Sequence, residues 1–483
     1  MAMITPNMNR LACIVIALAT IGLSQPARAE DWPVWGHDGS RNMVAPDSEK
    51  NLPVAWTPGQ MKDDTLDISK AKGIRWVARL GTTTYGNATV AGGKILVGTN
   101  NEPPKDKRFE GDRGVVLCLD EKTGKLLWQL AEPKLAGGKH VDYDAIGICS
   151  SPAIDNGRAY LVSNRCEVVC LDMAGQDGQA KVHWRFDMRD ELGVFPHQAT
   201  SSAVLVFGDR VYASTSNGVD WTSKHMPAPN APALICLDKN TGKLLGVEQS
   251  GISARTFKCN WSSPALAMVG GKPQIIFGGD DGFCYAFEPD PQNGVLKEIW
   301  RCDANSPVRR KYKFGNVKGP SGILATPVFA NGRVYVAIGN DPEESASEGT
   351  LVCIDPTGSG DVTAGKRVWF FDGIEKSLST VAVKDGLLFA ADFSGFIYCL
   401  EADTGKPIWK HDTEGQLWGS PLLADGKLYV GTVSSDVFCL AAGREKKVLG
   451  KTSLDGAIVS SPIVANGVLY VATEKYLYAL DGK

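Results

Sequence analysis

Eight copies of one short phrase constrain this chain more than any other feature of it. They read Val116-Leu-Cys-Leu-Asp120, Val168-Val-Cys-Leu-Asp172, Leu234-Ile-Cys-Leu-Asp238, Cys284-Tyr-Ala-Phe-Glu288, Leu351-Val-Cys-Ile-Asp355, Ile397-Tyr-Cys-Leu-Glu401, Val437-Phe-Cys-Leu-Ala441 and Leu477-Tyr-Ala-Leu-Asp481. Successive copies lie 52, 66, 50, 67, 46, 40 and 40 residues apart. Strand-like sequence that repeats at this period builds a ring of small sheets, a β-propeller.

Each repeat has the same grammar. A short strand and a second strand flank a dipeptide turn: Gly92-Gly93, Asn156-Gly157, Gly208-Asp209, Gly270-Gly271, Asn331-Gly332, Asp385-Gly386, Asp425-Gly426 and Asn466-Gly467. Such pairs tolerate the positive φ angles of hairpin turns. The Cys-Leu-Asp strand follows. A second turn, clearest as Asp120-Glu-Lys-Thr-Gly-Lys125, leads to a fourth strand, which contains Trp128, Trp184, Trp300, Trp369 or Trp409 in five units. Tryptophans at a fixed repeat position are expected to pack between neighbouring sheets.

Four strands in each of eight units make an all-β, eight-bladed propeller with four-stranded antiparallel blades. The last unit stops after its third strand. Ile74-Arg-Trp76-Val-Ala-Arg-Leu80 has fourth-strand character and precedes the first unit, so it is expected to complete the last blade and close the ring. The expected organisation is a secretion signal at 1–29, an N-terminal strap at 30–73 with little regular structure, and the propeller at 74–483.

The signal reading rests on Arg10, the apolar run Leu11 to Leu23, and the small-x-small site Ala27-Arg28-Ala29 before Glu30. That run is too short to span a bilayer, and no later segment is long and apolar enough to do so. A periplasmic or secreted protein is expected. The net charge of −3 becomes −5 once Arg10 and Arg28 are removed. No basic stripe marks a nucleic-acid partner. Exported chains often carry disulfides, yet six of the twelve cysteines (118, 170, 236, 353, 399 and 439) share one repeat position, where the other two repeats place Ala286 and Ala479. Such a position calls for a small apolar side chain. Cys149, Cys166, Cys259, Cys284 and Cys302 are left as possible pairs.

The longer repeats carry insertions, at 100–113, 134–147, 187–200, 217–232, 303–319 and 340–349. All belong to units one to five. A protein partner or small-molecule ligand is therefore expected on the looped face of those blades.

Asn331-Gly-Arg-Val-Tyr-Val336, Thr123-Gly-Lys-Leu-Leu-Trp128 and the opening Trp32-Pro-Val-Trp-Gly-His-Asp38 resemble the pyrroloquinoline quinone type of propeller repeat. The resemblance covers nearly the whole chain after the signal. It implies one of two roles, a quinone- and Ca²⁺-dependent alcohol dehydrogenase or a non-catalytic scaffold like the propeller lipoprotein of outer-membrane assembly. The dehydrogenase pattern implies Asn217, in Asn217-Gly-Val-Asp220-Trp221, as a metal ligand. Where that pattern places a Trp and a catalytic Asp, this chain reads Asn260-Trp261-Ser262. Adjacent cysteines are absent, Glu167 is the nearest substitute for the ligating Glu, and no Cys-x-x-Cys-His attaches a haem.

Several polar groups are candidates beside that resemblance. Asp142 and Asp144 pair carboxylates in an inserted loop and suit a hard cation or a solvated acidic surface. His197 is a base, a ligand or a hydrogen-bonded structural residue. Asn217 and Asp220 bind a ligand or cap a turn. Asp280-Asp281-Gly282 reads as hairpin chemistry, and Arg309-Arg-Lys311-Tyr-Lys313 as a basic loop. His197, Asp144 and Lys313 all precede a unit's first strand and should approach one end of the ring axis. The cofactor-binding candidates are Asn217, Asp220, Trp221, His197 and Trp261; the metal candidates are Asn217, Asp142 and Asp144. The expected function is an exported binding or scaffold module, with a divergent pyrroloquinoline quinone alcohol dehydrogenase using Ca²⁺ as the alternative. Polysaccharide binding or cleavage is neither supported nor excluded.

Overall fold

A computed structural model describes residues 1–2, 30–63, 65–136, 141–198, 202–308, 320–340 and 349–482. Most of the expected signal and the Arg309–Lys313 loop lie outside the described residues. Among those described, the repeats form eight four-stranded antiparallel blades spanning 89–133, 153–187, 205–248, 265–303, 328–371, 382–412 and 422–453, with 463–480 joined by 74–79. In the eighth blade, strand β1 (Ile74–Arg79) pairs with strand β2 (Tyr476–Leu480), Trp76 lying opposite Ala479. The ring closes as the sequence implied. No described helix is long and apolar enough to cross a membrane.

Seven of the first turns place both central residues at positive φ, for instance 47° and 77° at Asn156 and Gly157, as primed hairpin turns require. At Gly208-Asp209 only the glycine does so. The Cys-or-Ala position is buried in every blade, and the pairing register explains why it is small. Cys353 lies between Tyr335 on one neighbouring strand and Trp369 on the other. Those two rings lean over it until their centroids are 6.1 Å apart. Tyr160 and Trp184 cover Cys170 in the same way at 6.0 Å, and Tyr470 and Trp76 cover Ala479 at 6.0 Å. Burial raises the thiols, those of Cys118 and Cys353 to about 12. All eleven described cysteines are free.

The tryptophans staple blades together. The Trp76 indole donates to the Glu121 carbonyl of the first blade at 3.0 Å. Trp128, Trp184, Trp369 and Trp409 likewise reach Met173, Lys239, Ala402 and Gly443 of the next blade. Trp300 differs, donating to Gln274 within its own blade. Four of the five staples also explain a glycine. A Cβ on Gly124, whose φ is +68°, would lie 2.5 Å from the Trp76 ring, and Gly242 and Gly405 face Trp184 and Trp369 in the same way.

The strap is the largest departure from a plain reading of the sequence. Apart from a small hairpin, Gln60–Lys62 with Thr65–Asp67, it has only isolated bridges, yet it runs beneath the inner strands of all eight blades. Val90, Ile154, Leu266 and Phe329 donate backbone N–H groups to the carbonyls of Trp32, Pro33, Gly39 and Ser40. Asn42 bonds Val383, Ala45 bonds Leu423, and Asn466 donates to Glu30. Arg41 reaches Val204 of the third blade from a fully buried position, at 2.8 Å.

Candidate functional site

Among the described residues, the loop before each inner strand brings one or two side chains to the ring axis. The deeper set comprises Asn87, Ser151, Ala203, Ser263, Thr326, Thr380, Ser420 and Ser461, one per blade, five of them followed by proline. Proline has no N–H and fixes an extended entry into the strand, which suits a position where the chain turns from the axis. This set links blade to blade. Asn87 N–H donates to Ser151 Oγ at 3.1 Å, Ala203 to Ser263 at 2.9 Å, Ser263 to Thr326 at 3.2 Å, Thr380 to Ser420 and Ser420 to Ser461 at 2.8 Å, and Ser461 to Asn87 Oδ1 at 2.6 Å.

The outer set lies two residues earlier: Tyr85, Cys149, Trp261, Leu324, Leu378, Trp418 and Val459 in the described blades. Together the two sets enclose an axial cavity of about 340 Å³. Trp35 of the strap, Tyr143 and Ile146 of the 134–147 insertion and Gln198 complete its lining. The site therefore draws on all eight blades. The insertions of the first five blades add only three of its side chains.

None of these lining residues is acidic, basic or histidine. Tyr85 and Trp418 meet edge to face, with centroids 5.8 Å apart and planes at 66°. The indole N–H groups of Trp35 and Trp261 are buried without a partner. Cys149 is held protonated, burial raising its thiol to about 12, which makes it a poor nucleophile. Behind the lining sits Arg41, bonded to the carbonyls of Trp35, Val204 and Pro264 at 2.8, 2.8 and 3.0 Å. Burial lowers its pKa to about 10, with Asp38 opposing, so it stays charged at neutral pH.

Of the sequence candidates, only Trp261 lines this cavity. Asn217 is fully buried, its amide committed to the Ala228 carbonyl at 2.8 Å and to the Phe195 N–H at 2.9 Å. Asp220 caps a turn through Thr222, whose hydroxyl hydrogen bond lowers its pKa. Trp221 is 70% exposed. His197 donates Nδ1–H to the Val219 carbonyl at 2.7 Å and carries its neighbour Gln198 into the lining. Asp142 is buried in an ion pair with Lys134 at 2.5 Å, whereas Asp144 is exposed. The two carboxylates thus sit in different environments, and Tyr143 between them is the residue that reaches the cavity. Glu167 pairs with Arg185 at 2.8 Å, and Asp281 with Arg255 at 3.0 Å. Lys313 lies outside the described residues. Among the described residues no group of three or more His, Cys, Asp or Glu could hold a metal ion.

The outer aromatic set escaped sequence reasoning because its members share no residue type. Their readable signal is position: two residues before the Ser or Thr that precedes proline, as in Trp261-Ser-Ser263-Pro264 and Trp418-Gly-Ser420-Pro421.

The family model described as outer membrane protein assembly factor BamB matches residues 62–245 and 347–444, more than half of the chain. The chain belongs to that family. No curated protein matches it. BamB from Moraxella catarrhalis is similar in structure, with a TM-score of 0.58 and 14% identity over 84% of this chain and 99% of that one. The quinohemoprotein alcohol dehydrogenase ADHIIG from Pseudomonas putida HK5 has a TM-score of 0.60 and 12% identity over 94% of this chain and 81% of that one. The Comamonas testosteroni quinohemoprotein alcohol dehydrogenase gives 0.52 and 15%, over 95% and 81%. The BamB family and these dehydrogenases thus share one fold with this chain, and at such identities the likeness extends to fold alone.

The lining provides a test of the quinone. Pyrroloquinoline quinone is a tricarboxylate and calls for cations around it; Ca²⁺ calls for several hard oxygens, carboxylates among them, at one point. The described lining carries no carboxylate or cation of its own, the Asn217 amide is already spent, and the Arg41 charge behind the wall is sealed by backbone carbonyls. These residues do not fit the group.

Proposed function

We propose that this chain is an exported, non-catalytic member of its family, a rigid ring that acts as a binding or scaffold module. The observation that carries this reading is an axial cavity whose described lining holds no carboxylate, cation or histidine. Alcohol oxidation needs a base within hydrogen-bond reach of the substrate hydroxyl, and no described side chain of the cavity can take that proton. The bonded inner ring and the strap favour the same reading, because they hold the walls in one arrangement suited to recognition. The BamB family's description, an assembly factor, is consistent with a protein partner as a second ligand of the ring.

Reconstitution of the purified protein with pyrroloquinoline quinone and Ca²⁺ tests it, by equilibrium dialysis and dye-linked alcohol oxidation. The expected result is neither stoichiometric quinone retention nor dye reduction above a protein-free control. One quinone bound per chain with alcohol-dependent dye reduction would overturn the proposal in favour of a divergent dehydrogenase.

A further inference from the structure

We infer that the axial cavity binds an uncharged pyranose unit, the end or a branch of a carbohydrate chain. The inference rests on the binding-module reading and gives that site its ligand class. Three observations converge on it.

The first is the wall. Trp35, Tyr85, Tyr143, Trp261 and Trp418 give a 340 Å³ cavity five aromatic side chains, and its described lining has no carboxylate, ammonium, guanidinium or imidazole. A ring face carries partial negative charge, and the C–H bonds on one face of a pyranose carry partial positive charge, so the two attract while both shed water. The second is ring orientation. Tyr85 meets Trp418 at 66°, and Phe393 meets the same indole at 63°. A flat heteroaromatic ligand is best held in a slot between parallel rings. Rings set at steep angles instead form a faceted cup, which suits a puckered ligand with C–H groups on more than one side.

The third is the floor. The hydroxyls of Ser263, Thr326, Ser420 and Ser461 each accept one bond within the inner ring and retain a hydrogen to donate and a further lone pair, whereas Ser151 accepts two from Asn87 and retains only its hydrogen. Gln198 adds an amide at the wall. Sugar hydroxyls donate and accept at once, as this floor requires. A purely apolar ligand would leave these groups unsatisfied, at a cost. The buried Arg41 charge behind the floor favours electron-rich oxygens without presenting a cation for an acid to pair with.

The test uses the full processed chain. A glycan array covering neutral and acidic polysaccharide fragments comes first. Isothermal titration and tryptophan fluorescence follow with cellotetraose, chitotetraose, maltotetraose and an oligogalacturonate. Three of the twelve tryptophans line the cavity, so occupancy should shift or quench the emission. The expected result is saturable one-to-one binding of at least one neutral oligosaccharide. Trp418→Ala should weaken it about tenfold or more, and Trp261→Phe, a milder change that preserves the ring, by several-fold. Trp128→Phe, outside the cavity, should leave affinity unchanged.

Absence of binding to every neutral sugar would overturn the inference, as would binding confined to acidic sugars. So would affinity indifferent to both cavity variants. A chain that binds neither sugar nor quinone would sink this inference and leave the scaffold reading standing; a chain that binds quinone stoichiometrically would sink both.

Discussion

At the scale of single residues, the clearest lesson is the position shared by six cysteines and two alanines. Sequence shows that it must be small. In the second, fifth and eighth blades the structure shows the cause, two aromatic rings from flanking strands that close to about 6 Å over it. Cysteine here is a packing unit whose thiol is shut away from water. Cys353→Ala should therefore cost little, under about 1 kcal/mol, whereas Cys353→Leu must part Tyr335 from Trp369 and should cost about 1–3 kcal/mol. Urea unfolding of the two variants checks this; equal losses would mean that the ring pair does not set the size limit. Periodicity made this position legible. The aromatic cup was not, because tyrosine, tryptophan, leucine, valine and cysteine take turns at one register position and no residue type repeats.

At the scale of elements, the second turn of the first, second, third, sixth and seventh repeats combines chain reversal with attachment to the previous blade. The acid that ends the Cys-Leu-Asp strand accepts the N–H and hydroxyl of a threonine three residues on, in Asp120 with Thr123 and Asp238 with Thr241. The Thr hydroxyl bond is the main cause that lowers both carboxyls below their ordinary value near 3.8. A folded pKa below the unfolded one gives stability that is present above the unfolded value and lost as pH falls through the folded one. An Asp120→Asn, Asp238→Asn double variant should accordingly lose stability less steeply than the parent between about pH 4 and pH 2. Acid titration followed by circular dichroism measures the slope; an unchanged slope would remove these turns from the acid response. Sequence motifs announced the turns. They did not announce Asn217, whose amide in a buried loop looks like a ligand until its two backbone partners are in place.

At the scale of the whole molecule, the blades form a ring sealed by its own amino-terminal segment, and Arg41 is that segment's deepest anchor. Its guanidinium joins the strap to the third and fourth blades through the Val204 and Pro264 carbonyls. Arg41→Met would keep much of the volume and strand those carbonyls, at a cost of about 2–5 kcal/mol. Denaturant midpoints with an unchanged m-value would report the loss; no loss would make the strap a passive cover. The ring was legible because strands and turns repeat. The strap was not, because its contacts are made one backbone group at a time by a sequence that repeats nothing.

One feature of that ring reaches into its biogenesis. Ile74–Arg79 pairs with Tyr476–Leu480, so a strand translated early stays unmatched until the segment from residue 476 has been made. No nascent chain can hold the finished circle, and seven blades must wait with an open seam. The entropic cost of bringing distant ends together grows only with the logarithm of their separation, and blades already formed shorten the effective distance. Sealing is thus a late event that welds an early strand to one made long after it, and a chain cut short before residue 476 would carry an unsatisfied β-edge with it.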